Sequence, residues 1–243
     1  MSLKLRTPFV NVNLHTPSAD EQTPYAKTRQ PINGPYTRIY LIRHCHPNYS
    51  LKETLGDANM PLSDLGRGQR KLLNKKLKQI DLDKIYISEL IRAKETAQDF
   101  AKKHKKRMYV DKRLNEVDWT EWYKIKYFRM SEKTRVKKIK EYKTMDKEMH
   151  KLHAKSRRLL ADIYKKNKGK KIGLFCHGNL IRSMVTSVLN TDVIGFLSME
   201  IYQSSVTKLV IDRDGYIKIN YINNICHLPH KPNEDLFLAA LNQ

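Results

Sequence analysis

The sequence predicts a three-layer α/β/α fold with a mostly parallel central sheet and an antiparallel hairpin at one edge. Three observations carry this reading. Short apolar runs alternate with amphipathic segments along most of the chain, the pattern of a parallel sheet covered by helices. The last two runs, 205–212 and 216–222, flank Asp214-Gly215, a hairpin turn signal. Reactive side chains also follow directly on the predicted strand ends, where open α/β sheets bind their ligands.

Taken in order, residues 38–42 form a buried strand. Ser63 caps a helix running through 79, because its hydroxyl can accept a hydrogen bond from a free N–H of the first turn. A second strand at 85–87 precedes a helix at 89–103, and a third strand is read at 107–110. The run 172–175 is a buried strand followed at once by a helix over 178–189. Met145, Met149, Leu152, Ser156, Leu159 and Ile163 recur in steps of four and three, so this segment is an amphipathic helix with a narrow apolar stripe.

Residues 1–36 read as a flexible extension, punctuated by Pro8, Pro17, Pro24, Pro31 and Pro35. The ordered domain is expected over 37–243, with a Lys-rich helical cap inserted around 123–150. No apolar run is long enough to cross a bilayer, so no membrane association is expected. Residues 1–8 lack the apolar stretch of a secretory signal. Three cysteines give neither a disulfide framework nor a zinc pattern, and a cytoplasmic protein is expected. The 243-residue chain carries 47 basic and 25 acidic residues, a net charge of +22. A field of that size attracts anions. Its lysines are spread along the chain without a nucleic-acid-binding signature, which favours general basicity over a dedicated nucleic-acid site.

Strand ends direct attention to Arg43-His44, to Ser88 with the helix behind it, and to Cys176-His177. Phosphoryl transfer through histidine needs an unprotonated imidazole nitrogen in line with the leaving oxygen. It also needs cations around the phosphoryl oxygens and a group that donates and later accepts a proton. His44 supplies the nucleophile, beside Arg43. Arg92, one helical turn after Ser88, can bind phosphate in bidentate fashion. His177 precedes Gly178, which allows close approach of the backbone to a ligand. Glu116 is a candidate proton donor, with Asp118 and Glu121 as nearby carboxylates that could serve instead.

Five motifs in order carry a family resemblance: Leu41-Ile-Arg-His44, Leu62-Ser-Asp-Leu-Gly66, Ser88-Glu-Leu-Ile-Arg92-Ala-Lys-Glu-Thr96-Ala97, Leu114-Asn-Glu116 and Cys176-His-Gly-Asn179. Together they resemble the histidine phosphatase superfamily, which includes the cofactor-dependent phosphoglycerate mutases. The similarity runs from about Arg38 to Leu228. It implies that His44 becomes the phosphohistidine, that Arg43, Arg92 and His177 bind the phosphoryl group, and that Glu116 is the proton donor and base. It implies no metal, and no cofactor is expected for this chain.

The sequence departs from that family at Cys45, where glycine is common, and over His46-Pro47-Asn48-Tyr49-Ser50. Asn48 is kept as a phosphate-contact candidate. With no counterpart of the segments mutases use to hold their substrate, the departures favour a phosphatase. The expected function is a metal-independent phosphomonoester hydrolase acting through His44 on a small phosphorylated substrate. The alternatives are a phosphoglycerate mutase, or a non-catalytic basic protein holding a phosphoprotein or RNA. The oligomeric state is left open.

Cys45 and Cys176 raise a redox alternative, since each neighbours a candidate histidine, but small space-filling residues are the favoured reading. His46 reads as an exposed loop residue. His104, His150 and His153 read as surface residues, and His227 and His230 as structural.

Overall fold

The computed structural model describes residues 34–117 and 131–229. The extension over 1–33, the alternative carboxylates Asp118 and Glu121, residues 123–130 of the expected cap, the Met145 side chain and His230 lie outside the described residues.

Among the described residues, six strands form one sheet: β1 (Thr37–Arg43), β2 (Lys84–Ile87), β3 (Met108–Val110), β4 (Lys171–Cys176), β5 (Val206–Ile211) and β6 (Ile217–Asn224). Their spatial order is β3-β2-β4-β1-β5-β6. β1 and β2 flank β4 in parallel, and β3 joins β2 in parallel. β5 runs antiparallel to β1, and β6 closes the edge as the partner of β5. Gly215, at φ 85° in the turn before β6, adopts the left-handed geometry that the Asp214-Gly215 signal calls for.

The helices are α1 (Lys52–Leu55), α2 (Asp64–Ile80), α3 (Ile91–Lys103), α4 (Glu132–Lys166), α5 (Gly178–Leu189) and α6 (Val193–Leu197). Alternation along β1 divides the core between the two faces of the sheet. Ile39 and Leu41 pack with Leu159 and Leu160 of α4 and Ile181, Met184 and Val185 of α5. Tyr40 and Ile42 pack with Leu73 and Leu77 of α2 and Ala97 and Phe100 of α3. Two helical layers thus enclose the sheet, as expected from the sequence. Among the described residues, no helix is long and apolar enough to cross a membrane.

Local chemistry fixes the helix starts. Ser63 caps α2, its hydroxyl accepting from the Gly66 N–H. Helix α3 begins at Ile91 rather than at residue 89. Leu90 is extended and its N–H donates to Ser88 Oγ, so the chain first turns out of β2 through a side-chain contact.

The expected stripe on α4 is present and wider than predicted. Met149, Leu152, Ser156, Leu159 and Ile163 are buried, and so are His153, Leu160 and Tyr164. His153 is therefore not a surface residue. Its Nε2 lies 2.9 Å from Thr186 Oγ1 of α5, because α4 packs on both the sheet and α5. The region expected as a cap continues, over 132–150, directly into this packed helix.

Parallel register brings three strand ends to one edge. Arg43 stands opposite Cys176, and Ile87 opposite Phe175. The His44 N–H donates to the Cys176 carbonyl at 2.9 Å, and the Ser88 N–H donates to the Phe175 carbonyl at 3.0 Å. His44, Ser88 and His177 therefore leave the sheet side by side.

Candidate active site

His44 is almost fully buried at the end of β1. Its Nδ1 lies 2.8 Å from the Cys45 carbonyl oxygen. A carbonyl can only accept, so Nδ1 carries the proton and Nε2 of the neutral ring is bare. Burial, with His177, Arg43 and Arg92 nearby, pushes the His44 pKa well below the usual histidine range. The ring is therefore neutral at physiological pH, the state a nucleophile needs.

The His177 ring lies 5.1 Å from that of His44, centroid to centroid, tilted by 55°. His177 is fully buried at the N-cap of α5. Burial first, then the charges of Arg92 and Arg43, depress its pKa as well. Its Nε2 lies 2.8 Å from Ser88 Oγ, whereas its Nδ1 is buried without a hydrogen-bond partner among the described residues.

Two arginines flank this pair. One Arg43 terminal nitrogen donates to the Ile201 carbonyl, and the buried Nε has no partner among the described residues. The guanidinium lies against Gly178, where a Cβ would stand 3.2 Å from its central carbon. The glycine is thus needed for the approach of an arginine, which adds to the reading of close backbone approach to a ligand. Arg92, on the first turn of α3, donates to the Asp57 carbonyl at 2.5 Å and to Asp57 Oδ2 at 3.0 Å.

Glu116 follows the short turn Lys112–Leu114. Its Oε1 accepts from the Val117 and Leu180 N–H groups at 2.9 and 3.2 Å, and Oε2 from the Asn179 N–H at 3.4 Å. These donors include the open N-terminus of α5, which favours an anion there. Burial nevertheless raises the carboxyl pKa, against the pull of those N–H groups and of Arg43. A carboxyl shifted upward and close to Arg43 is suited to give and take a proton.

The structure thus brings Arg43, His44, Arg92, Glu116, His177 and Gly178 into one neighbourhood. Asn48, the other phosphate-contact candidate, has local partners. Its N–H donates to the Pro61 carbonyl and its Oδ1 accepts from the Ser50 hydroxyl. His46 is half-buried rather than an exposed loop residue, with Nδ1 2.8 Å from Ser63 Oγ and its ring edge-on to Tyr49. Cys45 and Cys176 belong to the two different cores of the sheet. Burial raises both thiols, Cys45 to about 11, so neither is a ready thiolate.

Sequence reasoning missed Asp57 and the partners of Ser88. Asn115 Oδ1 accepts from the Ser88 hydroxyl at 2.8 Å, and Asn115 lies inside the Leu114-Asn-Glu116 motif. That position was the available signal.

With this geometry in place, the comparisons with known proteins are decisive for the family. The profile of the histidine phosphatase superfamily (branch 1) matches residues 39–224. The chain belongs to that superfamily. Among curated relatives, Phosphoserine phosphatase 1 of Hydrogenobacter thermophilus is 24% identical over 205 residues, covering 79% of this chain and 94% of that one. Among solved structures, a phosphoserine phosphatase mutant from Entamoeba histolytica in complex with phosphoserine aligns with TM-score 0.63 and 21% identity. It covers 79% of this chain and 100% of that one. A mycobacterial glucosyl-3-phosphoglycerate phosphatase with inorganic phosphate aligns with TM-score 0.57 and 19% identity, covering 79% and 99%. Within the histidine phosphatase superfamily this chain is a phosphoric monoester hydrolase, and its fold is the one those structures share.

Proposed function

We propose that the protein hydrolyses small phosphomonoesters through a phosphohistidine on His44, without a metal ion. The observation that carries this reading is the bare Nε2 of a neutral, buried His44, set beside His177 between two arginines.

In the first step, His44 Nε2 attacks phosphorus in line with the leaving oxygen. The P–N bond forms as the P–O bond breaks. Arg43, Arg92 and His177 hold the three non-bridging oxygens, where charge spreads in the transition state. Glu116, whose pKa burial shifts upward, gives a proton to the departing alkoxide, which leaves as an alcohol. In the second step, the Glu116 carboxylate takes a proton from water as the water oxygen attacks the phosphohistidine. Inorganic phosphate leaves, and His44 and Glu116 regain their resting states. The positive charge comes from side chains, so chelators are not expected to slow turnover.

Phosphoserine is the first substrate to test, since relatives of similar length carry that activity in their names. The test is a panel of phosphomonoesters with an aryl phosphate as reference, run with EDTA and with His44→Ala. Activity should persist in EDTA and vanish in His44→Ala. Undiminished turnover in His44→Ala would reject the proposal.

A further inference from the structure

Building on the phosphohistidine reading, we infer that Asn115 and Ser88 are positioning residues that hold the His177 proton on Nε2. The bare Nδ1 then receives the single proton that enters with the phosphoryl group.

The direction of every hydrogen bond in this chain is determined by groups that have no choice. The Glu89 main-chain N–H can only donate, and it points at Asn115 Oδ1 from 3.0 Å. The Glu89 carboxylate can only accept, and Asn115 Nδ2 lies 3.0 Å from its Oε2. Both contacts fix the same orientation of the Asn115 amide. Oδ1 is therefore an acceptor, and the Ser88 hydroxyl, 2.8 Å away, must spend its only proton there. Ser88 Oγ has lone pairs left and no proton. It accepts from the Leu90 N–H at 3.2 Å and faces His177 Nε2 at 2.8 Å. His177 Nε2 must then be the donor, which leaves Nδ1 of the neutral ring as a bare acceptor.

His44 is held in the opposite tautomer, with its proton on Nδ1. The two facing rings thus present different nitrogens unprotonated, one to attack and one to accept. The groups around His177 agree with this division. Arg43 and His44 face it from β1 and Arg92 from α3. Glu116 accepts from N–H groups in the first turn of α5, which His177 caps. The arginines and the helix N-terminus disfavour a resting imidazolium. Glu89, the acid of the relay, contacts Asn115 rather than the ring.

A bare nitrogen facing a fully ionised phosphoryl oxygen sets two lone pairs against each other. A monoanionic ester removes the conflict, because its P–OH donates to Nδ1. The proton then passes to nitrogen: the O–H bond breaks, the N–H bond forms, and a dianionic phosphoryl group is held by imidazolium. The fully ionised ester reaches the same state only by drawing a proton from solvent. Ligand and one proton therefore bind together, and kcat/KM falls as pH rises past the second phosphate pKa of about 6.

The test uses the full chain labelled with 15N-histidine, with and without inorganic phosphate, beside pH profiles of kcat/KM for an aryl phosphate. In the free protein the His177 proton is expected on Nε2 alone, and phosphate should protonate Nδ1. In Asn115→Ala the Ser88 hydroxyl is free to turn and donate to Nε2. The tautomers should then mix, with kcat/KM near pH 5.5 falling about 10- to 100-fold, the range of one hydrogen bond to a charged group. Ser88→Ala removes the acceptor and should act in the same direction. A free protein with the His177 proton on Nδ1 would overturn the inference. So would an Asn115→Ala variant unchanged in both tautomer and pH profile. Failure of the phosphohistidine reading appears elsewhere, as turnover in His44→Ala, and leaves the His177 resonances as they were.

Discussion

Asp57, half-exposed, holds the buried guanidinium of Arg92 through both its main-chain carbonyl and its carboxylate, the latter at 3.0 Å. In the proposed reaction the same guanidinium binds the phosphoryl group. A resident carboxylate occupies the cation until a phosphate replaces it, so the two anions compete for one bidentate partner.

Asp57→Asn is therefore expected to lower KM for an aryl phosphate, and the inhibition constant of inorganic phosphate, with kcat nearly unchanged. The exposed position of the acid keeps the gain modest, about two- to fivefold, in line with about 1 kcal/mol or less for such a pair. Unchanged constants would show that Asp57 does not compete.

Gly178→Ala tests the packing beneath Arg43. The added Cβ would lie 3.2 Å from the guanidinium carbon, closer than ordinary contact, at the first residue of α5. Arg43 must give way by a few tenths of an ångström, and it is positioned to hold phosphate. KM should rise about tenfold or more, since small misplacements at a reacting site are costly. Circular dichroism and the melting temperature should stay close to those of the parent protein.

Gly66→Ala should act on stability instead. A Cβ there would lie 2.0 Å from the His46 carbonyl oxygen, a backbone atom that cannot move aside cheaply. This contact seats the start of α2 against the loop after His44, alongside the Ser63 cap. A loss of about 1–3 kcal/mol is expected in chemical denaturation, the range of overpacked core sites.

Stability should also fall on mild acidification. Burial lowers the pKa of His153 to about 4, against 6.5 for the free side chain. The unfolded chain then takes up a proton that the folded chain refuses. Stability is complete above pH 6.5 and is lost as pH drops towards 4, by at most about 1.4 kcal/mol per pH unit for one group. His44, His177 and His227 are shifted in the same direction. Glu116, shifted upward, has the opposite sign. The melting temperature should fall between pH 7 and pH 5, and His153→Gln should fall less. An equal fall in both proteins would remove His153 from the account.

The sheet and the reactive strand ends were legible because both depend on local pattern. Short apolar runs ending in Arg43-His44, Ser88 and Cys176-His177 point to one edge once the strands are parallel. His153 was misread as a surface residue, although it lies four residues after Met149 and three before Ser156, the spacing of the buried stripe. Its polarity hid a position that the period gives. Asp57 lies in a stretch without periodicity, and its contact with Arg92 spans 35 residues. The path from Glu89 through Asn115 and Ser88 to His177 crosses three segments, brought together by the registers of β2 against β4 and of β3 against β2. Such links are tertiary and leave no mark in sequence spacing.

The central claim, that His44 carries the phosphoryl group, is tested most directly by trapping the phosphoenzyme. Rapid quenching of the enzyme with an aryl phosphate, followed by peptide mass spectrometry under alkaline conditions, locates the modified residue. The account predicts an acid-labile phosphoryl group on His44 at up to one per chain, absent from His44→Ala. Steady turnover with no phosphoryl group on His44, or with one on another residue, would contradict it.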